Sequence, residues 1–194
     1  MWAIQPADQS TVRPSTDIDP AVPLRARGGD ARAFAELVEH FHARCLRYAR
    51  YMLGEEEDAE EAVQDTFIRV YDHLGQFRPD ARFEPWLFRI LANRCRTMRS
   101  RRWARESLVV TGELPVVAAE APEETRDLMD EVETALNGLP TEQREAFLLR
   151  HVEDLSYEDM AVITGVRLSA LRMRVKRACD ALRTRLVQEQ ERGR

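Results

Sequence analysis

The sequence predicts an all-α protein built as two small helical domains joined by an acidic flexible linker, the second domain a helix-turn-helix. Three observations predict it. Only 8 glycines and 9 prolines punctuate 194 residues, and a chain so poor in turn residues and rich in Ala, Leu, Glu and Arg favours helix. Apolar residues recur at three- and four-residue spacing in separate blocks. Between the blocks, ESLVVTGELPVVAAEAP (106–122) has two prolines, a glycine and no helical stripe.

Hydrophobic residues make up 44% of the chain and the net charge is −5. No apolar run approaches the roughly 20 residues of a membrane span. The start, MWAIQPADQSTVRPSTDIDP, lacks a basic segment and an apolar core, so it is not a secretory signal and a cytosolic protein is expected. Cys45, Cys95 and Cys179 form no C-x-x-C pair, and His40, His42, His73 and His151 form no H-E-x-x-H. Neither a metal site, a cofactor site nor a disulfide framework is indicated. The cysteines read as small buried thiols.

Residues 1–28 hold four prolines and few large apolar groups, the composition of a disordered arm. The first domain is expected over 29–105. Asp30 caps its first helix and Gly54 ends it, with Phe34, Leu37, Val38, Phe41, Cys45 and Tyr48 on one face. A second helix covers about Glu56 to Leu74, with Ala59, Ala62, Val63, Phe67, Val70 and Tyr71 inward. Gly75 and Pro79 break it. A third helix starts near Pro85, a good first-turn residue, and its stripe is Trp86, Leu87, Ile90 and Leu91, extended by Cys95 and Met98.

The acidic linker is expected over 106–122, and residues 106–137 together balance to −8. The second domain spans 123–194. A helix starts near Glu123 with Leu128, Val132 and Leu136 inward. Thr141 caps another that runs to about Val152. Ser156 and Asp159 fit an S-x-x-D capping box, Gly165 closes that helix, and Ser169 caps the last one. Two helices joined by a short glycine turn make the helix-turn-helix pattern.

Two charge blocks raise a question of function. EEEDAEEAVQD (55–65) has seven acids and no base, whereas RILANRCRTMRSRRWAR (89–105) has seven arginines and no acid. They could be two solvated helix faces, or they could serve two partners of opposite charge. The end of the chain bears on the choice. Leu171, Val175, Ala178 and Leu182 share one face of the last helix and leave Arg172, Met173, Lys176 and Arg177 on the others. Residues 165–186 balance to +6. A helix fixed by a buried stripe, with arginine donors opposite, suits the major groove and phosphate. The overall acidity argues against a nonspecific DNA coat, and the acidic parts suit docking on a large basic partner.

GDARAFAELVEHF, EDAEEAVQDTFIRVYDHLGQFR, FEPWLFRILANR and LPTEQREAFLLRHVEDLSYEDMAVITG with its following helix resemble a bacterial RNA polymerase sigma factor of the extracytoplasmic-function group of the sigma-70 family. The resemblance covers 29–105 and 139–187. It implies a promoter-specificity subunit, with no catalysis of its own, that binds core polymerase and reads the −10 box with its first domain and the −35 box with its second. The implied partners are promoter DNA, the clamp helices of the largest polymerase subunit, the flap of the second-largest subunit and an anti-sigma factor. Glu57, Asp58, Glu61, Gln64 and Asp65 match the polymerase-docking segment. The third helix matches the −10 segment, which carries Arg89, Asn93, Arg96, Thr97 and Arg101. The 75–84 loop matches one that holds a base extruded from the duplex, with Phe83 the candidate to touch it. On the last helix Arg167, Ser169, Arg172, Met173, Lys176 and Arg177 are the −35 candidates, and Arg183 and Arg185 are expected on phosphate.

The chain departs from the family pattern at Thr97, Ser100, Arg167 and Met173, and in Ser169-Ala170 where Gly-Thr is usual, all of which bear on promoter sequence. A two-domain regulator that binds an operator would share the second half, but not the paired acidic and basic blocks of the first. An enzyme finds no support: G-x-x-x-x-G-K, G-x-G-x-x-G and G-x-S-x-G are all absent.

Overall fold

The computed structural model describes residues 18–108 and 132–192, with helices and no strand among them. The arm at 1–17, most of the expected linker and Leu128 lie outside the described residues.

The chain does not wait until residue 31 to become helical. Helix α1, Ala21–Arg27, sits where an irregular arm was expected, and buries Val22, Pro23 and Ala26. Its small apolar side gains a partner in α2, a contact no local pattern encodes. Helix α2, Ala31–Leu53, begins and ends as predicted. Asp30 accepts from the Arg32 and Ala33 amides at 2.9 and 3.1 Å, and Gly54 takes φ 83°, a conformation that glycine adopts without strain. Helix α3, Glu56–His73, runs into a 3-10 turn at Leu74–Gln76. Helix α4 spans Phe83–Leu108, so it starts two residues before Pro85 and runs on past the expected boundary at 105.

Leu37, Phe41, Cys45, Tyr48, Ala59, Val63, Phe67, Val70, Leu87, Leu91 and Cys95 form the core of this domain. The Cys95 thiol is pushed up to about 12 by burial, and burial raises Cys45 further still. Both stay protonated and serve as packing. Tyr71 departs from the expected stripe. It is 64% exposed and meets Phe34 edge-to-face, with ring centroids 5.1 Å apart.

The second domain opens with α5, described from residue 132 to 137. Leu136 is buried as expected, but Val132 is exposed. Arg185 reaches across to the carbonyls of Ala135 and Gly138, at 2.9 and 2.7 Å, and so covers acceptors that a helix end leaves unsatisfied. Its expected phosphate role is thereby corrected. Helix α6, Thr141–Phe147, has Pro140 at its cap, so Thr141 is already inside the helix. It continues as a π-helical turn over Leu148–Val152. The chain then turns at Asp154, whose φ is 54°, and the Leu155 amide donates back to the Leu149 carbonyl at 2.9 Å. This is a left-handed helix stop with Asp where Gly is usual.

Helix α7, Tyr157–Thr164, is capped by Ser156, whose Oγ accepts from the Asp159 amide at 3.0 Å, and closed by Gly165 at φ 72°. Helix α8, Leu168–Arg192, begins two residues earlier than expected, so Ser169 lies in its first turn and does not cap it. Leu171, Val175, Ala178 and Leu182 are buried together, as their spacing requires.

Candidate nucleic-acid interface

The two charge blocks of the first domain largely face each other. Arg94 of α4 donates to Glu61 at 2.8 Å, and its Nε lies 2.9 Å from Asp65. Arg102 lies 3.3 Å from Glu55 and 3.7 Å from Asp58. Three of the five predicted docking residues, Asp58, Glu61 and Asp65, therefore tie α3 to α4. They are a seam, and the simple picture of a wholly outward acidic face is corrected. Glu57 and Gln64 stay exposed on the other side of α3.

That other side borders an apolar groove of about 590 Å³. Phe34, Val38 and His42 of α2 form one wall, with Gln64, Ile68 and Tyr71 of α3 opposite. Ile68 is 53% exposed. The sequence reading placed Phe34 and Tyr71 in the core and did not see the groove. Exposed Ile68, outside the α3 stripe, was the one available signal.

On α4, Arg89, Asn93, Thr97 and Arg101 all stay exposed, spaced by four residues along one line of the helix. The Thr97 hydroxyl donates to the Asn93 carbonyl at 2.9 Å. Arg96 is half-buried. It donates to the Asn93 side chain and, at 3.3 Å, to Glu145 of the second domain. Phe83 does not wait in a loop. It is a buried residue at the start of α4, 5.4 Å from Phe77 and 5.7 Å from Trp86, ring centre to ring centre. Its size and apolar surface are worth more in this aromatic cluster than in water, so its expected contact with an extruded base is corrected.

On α8 and the turn before it, Arg167, Ser169, Arg172, Met173, Lys176 and Arg177 are all exposed. The Arg172 guanidinium lies 5.2 Å from the Tyr157 ring centre, and Arg150 approaches the same ring at 5.6 Å. A cation over a ring face is held by the ring quadrupole, which fixes where Arg172 leaves α8.

The two domains meet through charges that sequence reasoning missed. Glu153, its side chain fully buried, accepts from Arg44 Nε at 3.1 Å and from Arg47 Nη2 at 2.9 Å. Arg44 also meets Glu84 at 2.5 Å. Arg82 donates to Asp159 at 2.6 Å. Arg144 is buried and donates to the Met52 carbonyl at 3.3 Å and to Asn137 at 2.8 Å. Arg99 reaches the same Met52 carbonyl at 2.9 Å, at the negative end of the α2 dipole. Burial draws the Arg144 guanidinium down to about 10, with Arg99 and Arg185 adding to the effect. Burial raises the Glu153 carboxyl despite Arg47 and Arg44, and raises Glu145 despite Arg96 and Arg174. No single helix contains both partners of any such pair, so no helical spacing could have shown them.

Among the described residues no cluster of His, Cys, Asp and Glu could hold a metal, and no helix is long and apolar enough to cross a membrane.

Two helices with exposed basic faces, one of them the second helix of a helix-turn-helix, define a helical nucleic-acid-binding protein. Comparison with known proteins narrows the class. Residues 37–105 match Sigma-70 region 2 and residues 129–182 match Sigma-70 region 4. The sigma factor SigE of Mycolicibacterium smegmatis is 33% identical over 91% of this chain and 71% of its own. The sigma factor CnrH of Cupriavidus metallidurans is 30% identical over 84% of this chain and 91% of its own. The structure of CnrH in complex with the cytosolic domain of CnrY superimposes with a TM-score of 0.69, over 88% of this chain and 97% of that one. The sigma factor RpoE in complex with the anti-sigma factor NepR, from Bartonella quintana, gives 0.70 at 26% identity, over 80% and 98%. The chain belongs to the extracytoplasmic-function group of the sigma-70 family, and is a promoter-specific initiation subunit of bacterial RNA polymerase.

Proposed function

We propose that α8 reads the −35 box, α4 reads the −10 box, and the groove between α2 and α3 seats the polymerase clamp helices. The observation that carries this reading is the joint exposure of Arg172, Met173, Lys176 and Arg177 on a helix whose opposite face is buried. Arginine donors offered in this way pair bidentately with guanine edges or with phosphate. On α4 the exposed line Arg89, Asn93, Thr97 and Arg101 offers donors to the −10 strand, with Arg96 beside it. Glu60 and Gln64 line the docking groove, and Glu57 is exposed in the first turn of the same helix. Asp58, Glu61 and Asp65 contribute by setting α3 against α4, and Glu61, whose side chain is 61% exposed, remains within reach of a partner's arginine.

The domain division that goes with this reading is a first unit ending near residue 105 and a second built from α5 to α8, with the flap of the second-largest subunit as a further contact. The protein acts in the cytosol as a binding subunit without chemistry of its own. CnrH is found in complex with the cytosolic domain of CnrY and RpoE with the anti-sigma factor NepR, and an anti-sigma factor is proposed here by that likeness. The test is transcription in vitro from genomic DNA with core polymerase, with start sites mapped for the wild type and for Arg172→Ala. Start sites that share both an upstream and a downstream box are expected, with Arg172→Ala relaxing only the upstream one. Start sites without a shared upstream box would overturn the reading.

A further inference from the structure

We propose that Arg44, Arg47, Arg82 and Arg96 form one phosphate-binding surface on the first domain, and that Glu153, Asp159 and Glu145 of the second domain occupy it until a nucleic-acid strand displaces them. The proposal rests on reading the first domain as a binder of promoter DNA. It adds residues of α2, and a shut state, that the reading does not contain.

The four arginines come from separate parts of the first domain: Arg44 and Arg47 from α2, Arg82 from the loop before α4, and Arg96 from α4. Each meets a carboxylate of the second domain, and Arg44 and Arg82 also share Glu84 of their own domain, at 2.5 and 3.5 Å. Arg44 and Arg47 share Glu153, at 3.1 and 2.9 Å. Arg82 meets Asp159 at 2.6 Å and Arg96 meets Glu145 at 3.3 Å. Guanidinium donors grip carboxylate and phosphate oxygens with the same fork geometry. A row of carboxylates spread over these arginines therefore stands where backbone phosphates of a strand would lie. The surface runs directly into the proposed −10 face, because Arg96 also bonds Asn93.

The second domain presents these carboxylates by construction. The left-handed turn at Asp154 swings Glu153 outward into the first domain and returns Leu155 to its own core. Asp159 is held by the Ser156 hydroxyl, which donates to it at 2.7 Å. The shut state is specific without being strong. A buried ion pair recovers little beyond its desolvation cost, and burial raises the Glu153 carboxyl in spite of its two arginines. Exchange for phosphate returns the carboxylates to water and leaves the arginines paired.

The experiment uses the full chain without polymerase. Small-angle X-ray scattering reads domain separation, and fluorescence anisotropy reads binding of a labelled single strand of roughly 12 nucleotides. Glu153→Lys sets a cation against Arg44 and Arg47. It is expected to enlarge the particle and to tighten strand binding about tenfold, since Arg47 loses its carboxylate and Arg44 keeps only Glu84. Adding Arg44→Ala and Arg47→Ala to that variant should keep the enlarged particle and return strand affinity to near the wild-type value, with a shallower salt slope. An open Glu153→Lys protein that binds strand no better than wild type overturns the proposal, as does a triple variant that keeps the tighter binding of Glu153→Lys. Should Glu153→Lys fail to fold, the wild-type protein is scattered with and without saturating strand. Expansion on binding supports displacement, and an unchanged particle overturns it. Start-site mapping on the same variants keeps the two readings apart. Lost promoter preference with intact strand exchange sinks the promoter assignment alone.

Discussion

Arg94 of α4 donates to Glu61 of α3 at 2.8 Å, and the same guanidinium lies 2.9 Å from Asp65. One buried-edge arginine, its side chain 14% exposed, thus joins the acidic block to the basic block. Reversing the charge of Asp58, Glu61 and Asp65 therefore acts on the fold as well as on docking. Lysines at all three positions face Arg94 and Arg102 and should lower stability by on the order of 2 kcal/mol. Urea denaturation followed by circular dichroism measures this, and an unchanged midpoint would show the seam to be energetically silent.

Polymerase docking is better tested at the groove. Ile68 and Tyr71 are 53% and 64% exposed, so Ile68→Asp should change stability by less than about 0.5 kcal/mol, and Tyr71→Asp by about 0.5–1.5 kcal/mol for its ring contact with Phe34. Core-polymerase capture by the tagged protein is expected to fall at least about tenfold, because an apolar anchor at an interface centre dominates affinity. Capture at wild-type level would remove the groove from the docking surface.

The two ends of α8 should separate base reading from packing. Arg172→Ala is expected to relax preference in the −35 box by about 1–3 kcal/mol if its contact is bidentate to guanine. Arg183, exposed near Asp180, should weaken all DNA sequences equally when removed, and flatten the salt dependence. Competition binding of holoenzyme to singly mutated promoters distinguishes them. A base preference that shifts with Arg183→Ala and not with Arg172→Ala would reverse the assignment.

Gly138 and Arg185 form a structural pair. A methyl group at Gly138 would come within 1.8 Å of the Arg185 guanidinium, which must then leave the carbonyls of Ala135 and Gly138. Gly138→Ala should cost about 1–3 kcal/mol for those charge-assisted bonds. Arg185→Ala should cost a similar amount, and the double variant should cost little more than either single one. Thermal denaturation of the three variants tests the coupling, and additive losses would contradict it.

Glu145 and Glu153 set the sign of a pH effect. Both carboxyls are raised by burial, so the folded chain binds their protons more readily than the unfolded chain does. Their contribution to stability is present below the ordinary carboxylate range and is lost as pH rises through the raised values. His151 opposes this, because burial lowers it and its contribution is lost as pH falls below the usual imidazole value. In a His151→Gln background the melting temperature should therefore rise as pH drops from about 7 to about 5. A fall over that interval would mean that the arginines outweigh burial at both glutamates.

How much was legible can be judged at particular residues. The bounds of α2 were legible because Asp30 and Gly54 act within one turn of themselves. The buried line Leu171, Val175, Ala178 and Leu182 was legible because helical spacing is local. Exposure of Arg172, Lys176 and Arg177 followed from the same spacing. Phe83 and Tyr71 were misread in opposite directions. Phe83 was taken for a loop residue and is core, whereas Tyr71 was taken for core and lines an open groove. Each error came from deciding burial before knowing which neighbouring element covers that side.

The sequence by itself determined that this chain is all-helical, where most of its helices start and stop, and which face of each turns inward. Those properties depend on residues three or four apart. Only the tertiary structure decided what the charges do. Arg94 found Glu61, Arg44 and Arg47 found Glu153, and Arg185 found the end of α5. An ion pair is set by distance in space, and two helices far apart in sequence acquire that distance only when their apolar faces pack.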